Sequence, residues 1–199
     1  MLKNKNFFSI YSKELIKKIN NLNLDILEEI THEIFNNIKL KRKIFVCGNG
    51  GSAAVANHFI CDFNNGIKIT SKKKLLPRVI SLNNSNEIIT AVSNDLDYKK
   101  IFSSQLENFA EKGDLLFVFS CSGKSKNIKE AIVFAKRKKM KIIQVLGFKK
   151  KCKLAKNEKI LSLNCSNYGI AEDLFQSVMH MVSQRLRVEY FKILNFNKL

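Results

Sequence analysis

Five short apolar runs, each bounded by polar residues, constrain the fold of this chain more than any other feature: KIFVC (43–47), RVISL (78–82), DLLFVFS (114–120), KIIQVLG (141–147) and KILSL (159–163). Helical patterns follow most of them. Continuous apolar strands alternating with helices are what a parallel sheet needs when both of its faces are covered, since each strand is then buried above and below. The pattern predicts an α/β fold, a three-layer α/β/α sandwich on a five-stranded parallel sheet. Two amphipathic helices are predicted ahead of the first strand, FSIYSKELIKKI and LDILEEITHEIFNNI, and each needs a surface to pack on.

With 199 residues, 45% of them hydrophobic, a single proline (Pro77) and no Gly-, Pro- or Ser-rich stretch, the chain offers one sizeable core and no linker. The expectation is one domain over 1–199, with a helical segment at 1–40 and the sandwich at 41–199. No uninterrupted apolar run has the form of a signal peptide or reaches the roughly 20 residues of a membrane span, which predicts a cytoplasmic chain without a membrane partner. Cys47, Cys61, Cys121, Cys152 and Cys165 form no CxxC pair and no metal-knuckle spacing, and read as reduced core or loop residues.

A net charge of +18 invites a nucleic-acid reading. Against it, lysine far outnumbers arginine, the residue suited to bidentate phosphate and base contacts, and runs such as Lys72-Lys73-Lys74 and Lys149-Lys150-Lys151 fall in predicted loops. No nucleic-acid partner is expected, and the basic surface reads as solvated.

Ligands of such sheets bind beyond the carboxyl ends of the strands, where loops turn into helix N-termini. There the sequence places Cys47-Gly48-Asn49-Gly50-Gly51-Ser52, a turn in which glycine serves a tight strand-to-helix connection and also lets backbone N–H groups approach an anion. After the third strand comes Ser120-Cys121-Ser122-Gly123-Lys124-Ser125, whose hydroxyls suit both helix capping and a phosphate. His58 and Asp62 are spaced i, i+4 on one helix, while Glu172 and His180 lie about 12 Å apart along another. By residue type this set suits zinc or acid/base work. His32, beside acidic residues and without a second ligand at useful spacing, reads as a surface or packing residue.

Together the Gly48–Ala54 turn with His58 behind it, the Ser120–Ser125 loop, the Ser93-Asn94-Asp95 turn and the closing helix with Glu172 and His180 resemble the phosphoheptose isomerase family of SIS (sugar isomerase) domains, in order and over nearly the whole chain. The resemblance implies a flavodoxin-like SIS domain and an aldose-ketose isomerase that converts sedoheptulose 7-phosphate to D-glycero-D-manno-heptose 7-phosphate for the nucleotide-heptose of lipopolysaccharide or capsule. It also implies a homotetramer with N-terminal helices at the interface, and zinc as cofactor. Carried over by position, Asn49, Gly50, Gly51, Ser52, Asn94 and Asp95 contact the sugar phosphate, and Ser120, Cys121, Ser122 and Ser125 form the phosphate loop. His58, Asp62, Glu172 and His180 hold the metal, with Asp62, Glu172 and His180 catalytic and Glu172 also touching substrate.

The sequence departs from the family pattern where that pattern has Glu at position 62, Gln at 172, Thr at 121 and Asn at 124. The shortened Asp62 and the added carboxylate of Glu172 are expected to compensate each other, one of them acting as base. The alternatives are a non-catalytic SIS module that binds a phosphosugar or a protein partner for regulation, or an isomerase of another sugar phosphate.

Overall fold

A computed structural model describes residues 6–148 and 157–191. Cys152 and the Lys149–Lys151 run lie outside the described residues. All five predicted strands form, within a residue at either end: β1 (Lys43–Cys47), β2 (Arg78–Ser81), β3 (Leu115–Ser120), β4 (Lys141–Leu146) and β5 (Glu158–Ser162). They pair in parallel in the order β2-β1-β3-β4-β5, which is the flavodoxin-like order. Ile44 stands beside Leu115 and Val46 beside Phe117 in the register of β1 and β3. The chain leaves β1 toward β2 on one side and returns to β3 on the other, so a crevice opens at the carboxyl ends of β1 and β3.

Alternate residues of each strand face opposite sides, and two cores result. Ile44, Val46, Phe117, Phe119, Ile143 and Val145 pack under α2 (Leu24–Lys39), α3 (Gly51–Ile60) and α8 (Tyr168–Phe191). Phe45, Cys47, Leu116, Val118 and Ile142 pack under α6 (Ser103–Phe109) and α7 (Lys126–Arg137), with α5 (Asn86–Asp95) partly covering the same side. The predicted α1 (Asn6–Asn20) forms but buries none of its residues, touching the core only through Tyr11, Leu15 and Ile19.

Two local features were not visible in the sequence. Helix α3 widens into a π-helical segment, Cys61–Ile67, before a last turn α4 (Lys68–Thr70). Ser93-Asn94-Asp95, expected as a turn, instead completes α5, whose start is capped by the Ser85 hydroxyl accepting from the Ile88 N–H.

A parallel sheet sorts its connections by end. The described loops that leave the strands carry one charged residue, Lys124. Those entering the strands carry Lys41 and Arg42 before β1, Lys72, Lys73 and Lys74 before β2, Lys112 with Glu111 and Asp114 before β3, and Lys138 and Lys139 before β4. Among the described loops, lysines scattered in sequence thus fall mostly on those that enter the strands.

Candidate active site

The turn after β1 is built on glycine for steric reasons. Gly50 has φ +58° and ψ −128°, and a Cβ at Gly48 would stand 2.6 Å from the Ser52 carbonyl oxygen. Asn83 clamps this turn, its Oδ1 accepting from the Gly48 N–H at 3.1 Å and its Nδ2 donating to the Gly48 carbonyl at 2.9 Å. Asn49 exchanges amide hydrogen bonds of 2.8 and 3.0 Å with Asn127 at the start of α7. The phenol of Tyr98 donates to Asn49 Oδ1 at 3.3 Å. The glycine turn and the serine loop are thereby fixed as the two walls of one crevice. Asn94 and Asp95 bond to each other, Nδ2 to Oδ1 at 2.9 Å, in an exposed position at the end of α5, the helix whose following turn delivers Tyr98.

The serine loop folds on its own hydroxyls. Ser120 Oγ accepts from the Gly123 N–H at 3.0 Å and Ser122 Oγ from the Lys124 N–H at 3.2 Å, so each hydroxyl still has its proton to donate. Ser125 begins α7 without using its side chain as a cap, which leaves its hydroxyl available beside the free N–H groups of the first turn. Cys121 is buried, and burial pushes its thiol up to about 11 against a hydrogen bond with Ser52. At neutral pH it is a protonated packing group and not a nucleophile.

Helices α3 and α8 start at the same rim of the sheet and lie side by side, each presenting a stripe to the other. From α8 come Glu172, Gln176, His180 and Ser183; from α3 and its π-helical extension come Gly51, His58 and Asp62. Glu172 packs against Gly51 so closely that a Cβ there would collide with its carboxylate. One turn on, Gln176 Nε2 stands 2.7 Å from His58 Nδ1 and 2.9 Å from His180 Nε2. The amide thus bridges the two rings, with donor and acceptor roles set by their tautomers. The two rings meet edge to face at 5.2 Å and 84°. Asp62 closes the group, with Oδ1 at 3.6 Å from His58 Nε2 and Oδ2 at 3.8 Å from His180 Nε2. Ser183 Oγ donates to Asp62 Oδ2 at 3.1 Å, and Arg187 donates to the Asp62 carbonyl at 3.4 Å, its guanidinium occupying the space left open by Gly66.

His58, Asp62 and His180 each offer one ligand atom within 4.8 Å of the others. Two imidazoles and a carboxylate fit zinc in donor type, and that spread closes onto an ion with bonds of about 2.0–2.2 Å by small side-chain rotations. The structure does not bring Glu172 into this group; its place is at the N-terminus of α3, nearer the serine loop. His32 is exposed and does not belong to this group. Gln176, Asn83, Asn127, Tyr98 and Ser183 escaped the sequence reading. Gln176 alone carried a signal there, lying four residues from both Glu172 and His180.

The sequence model of the SIS domain family matches residues 8–147. A phosphoheptose isomerase from Campylobacter concisus is 38% identical over 143 residues, covering 72% of this chain and 73% of its own length. A probable phosphoheptose isomerase from Thermoplasma acidophilum is 33% identical over 162 residues, 81% of this chain and 87% of its own. Among solved structures, phosphoheptose isomerase from Neisseria gonorrhoeae superposes with a TM-score of 0.81 at 22% identity over 92% of this chain and 97% of that one, a likeness of fold. The chain belongs to the SIS domain family and, within it, to the phosphoheptose isomerases.

Proposed function

We propose that the chain is an intramolecular oxidoreductase that converts sedoheptulose 7-phosphate to D-glycero-D-manno-heptose 7-phosphate, the first intermediate toward a nucleotide-heptose for surface polysaccharide. The observation that carries this reading is the pair of facing stripes, which sets imidazoles and carboxylates of α3 and α8 in line behind two turns able to grip a phosphate. The phosphate sits at the start of α7, on the Ser120, Ser122 and Ser125 hydroxyls, with Lys124 as a counter-charge. The open-chain sugar extends along the crevice past Asn49, Gly50, Gly51 and Ser52 toward His180, with Asn94 and Asp95 at its edge.

Isomerisation moves one proton from C1 to C2 of the ketose through a cis-enediol. Glu172 is the better placed base: Asp62 is engaged by His58, His180 and Ser183, whereas Glu172 lies against the glycine turn at the start of α3, at the mouth of the crevice. It takes the C1 proton and returns it to C2. His180 donates a proton to the C2 oxygen and recovers one from the C1 hydroxyl. Asp62 and Gln176 hold both imidazoles in place. Zinc held by His58 and Asp62 would polarise the substrate oxygens and leave the His180 ring for the proton exchange.

The exposed Phe7, Phe8, Ile10 and Ile16 on α1 support a homotetramer packed through its N-terminal helices. No described helix is long and apolar enough to cross a membrane.

Turnover of sedoheptulose 7-phosphate, with and without chelator, tests the reading. Conversion that disappears in His180→Gln and Asp62→Asn with the circular dichroism unchanged supports it; no turnover on any ketose phosphate in the metal-loaded protein overturns it in favour of a phosphosugar-binding regulator.

A further inference from the structure

The end of the molecule opposite the active site has a composition that the isomerase reaction does not explain. Eight loop cations enter the strands there, and both loop carboxylates are already engaged by Lys43 at the start of β1, Glu111 at 2.9 Å and Asp114 at 3.6 Å. The remaining lysines face water without a carboxylate of their own loops. Among the described residues five non-glycine residues have positive φ, and four of them are lysines of this end: Lys41 (54°), Lys72 (48°), Lys73 (63°) and Lys139 (59°). These positions follow helix ends, where glycine or asparagine is the residue that the left-handed conformation favours. Local conformation therefore does not account for lysine at these sites.

Apolar side chains stand among the cations. Leu40 and Leu76 are 61% and 57% exposed. Leu76 lines a groove of about 670 Å³ together with Phe35, Ile38 and Leu75, rimmed by Lys39, Lys41, Lys74 and Arg78, with no carboxylate in its lining. The two arginines of this end are tied to backbone carbonyls, Arg42 to Gly113 at 3.1 Å and Arg78 to Lys41 at 2.9 Å, so the outward charge is carried by lysine. Lysine is a compact, hydrated point charge without the flat fork that reads nucleic acid, and it suits diffuse attraction to a phosphate-covered surface. Protruding leucines beside it suit entry into the boundary between headgroups and acyl chains.

We infer that this end is a peripheral docking face for a membrane surface containing anionic lipid, with the lysines on headgroup phosphates and Leu40 and Leu76 seated in the interface. Nothing in the face touches the crevice, so attachment leaves the active site open to water.

The test is co-sedimentation of the full-length protein with vesicles of phosphatidylcholine alone and of phosphatidylglycerol mixed with phosphatidylcholine. Binding is expected to the mixed vesicles only, weakening as salt is raised. The triple variant Lys72→Glu, Lys73→Glu, Lys74→Glu should lose at least about tenfold in vesicle affinity, and Leu76→Ser should weaken binding at every salt concentration. Lys13→Glu, Lys17→Glu, Lys129→Glu, which makes the same change of net charge elsewhere, should bind within about twofold of the unaltered protein. Sugar-phosphate turnover and circular dichroism of the first triple variant report that it is folded, and Lys→Gln replacements at the same three positions serve if it is not. The inference is overturned by equal binding to neutral vesicles, by equal losses in both triple variants, by no vesicle binding at low salt, or by a preference for duplex nucleic acid over the mixed vesicles.

Discussion

The carboxylate of Glu172 lies against Gly51, in space that any side chain at position 51 would fill. Two residues 121 apart in sequence thus share one volume at the start of α3. If Glu172 is the base, Glu172→Gln keeps the shape and removes the proton acceptor, and kcat should fall by about 10²–10⁴-fold with KM little changed. Gly51→Ala should push the carboxylate off its position and cost on the order of 10²-fold in kcat/KM, since a displacement of about 1 Å suffices for that. Steady-state kinetics on both variants decide; full activity in Glu172→Gln assigns the base to Asp62.

Gln176 touches both imidazoles and is expected to act by holding them. Gln176→Leu, similar in size but without the two amide protons, should reduce metal affinity or turnover by about 10–100-fold. Metal content of the purified variant, read beside its kinetics, separates the two effects. An unaltered protein in both respects would remove the role.

Lys124 is the one charged residue in the described loops that leave the strands. Its replacement by alanine should raise KM for the phosphorylated sugar by about tenfold, equivalent to ~1.4 kcal/mol, and leave kcat unchanged. Inorganic phosphate as a competitive inhibitor should weaken in parallel.

Phe59 anchors α3 to the sheet. It is fully buried, stacks on Phe63 at 4.0 Å and 7°, and meets Phe117 at 5.1 Å. Phe59→Ala should cost about 3–5 kcal/mol in denaturant unfolding, a large share of the roughly 5–15 kcal/mol that holds a domain together. Because His58 is the next residue, activity in this variant should fall at temperatures where the fold still persists.

Tyr11 donates to Asp173 Oδ2 at 2.6 Å and so joins α1 to α8. The hydrogen bond to that carboxylate, with burial and its negative charge adding to it, pushes the phenol up from 10.0 to about 12. A raised value in the folded state means that the neutral phenol stabilises the docking of α1 fully below pH 10, and that this contribution is lost as pH climbs from 10 toward 12. The phenolate absorbance difference between the unaltered protein and Tyr11→Phe isolates this group, and in Asp173→Asn its titration should move back toward 10.

The strands and the two site turns were legible because they are local. Each of the five apolar runs became a strand within a residue of its predicted limits, since a strand buried on both faces has no other way to be written. His58 and Asp62 were readable as a pair from i, i+4 spacing alone. Gln176 was not, because its importance lies in facing His58, 118 residues away, and no spacing within one helix reports which stripe of another it meets. The widening of α3 at Cys61–Ile67 has no compositional mark either. Ser93-Asn94-Asp95 looked like a turn because its residues favour turns, yet the Ser85 cap and the apolar pattern of Ile88, Ile89 and Val92 carry the helix through it. The Lys72-Lys73-Lys74 run and the other described loop lysines appeared dispersed because sequence order hides which end of a sheet a loop occupies.

That all five strands point the same way sorts the described loops of the chain: ligand-handling turns where the strands end, most of the loop cations where they begin. If the docking inference holds, a chain that meets a negatively charged plane by this end has its catalytic mouth aimed away into the surrounding solution. Reversing the charge of this end would then do more than loosen a contact; it would leave the protein without a preferred heading.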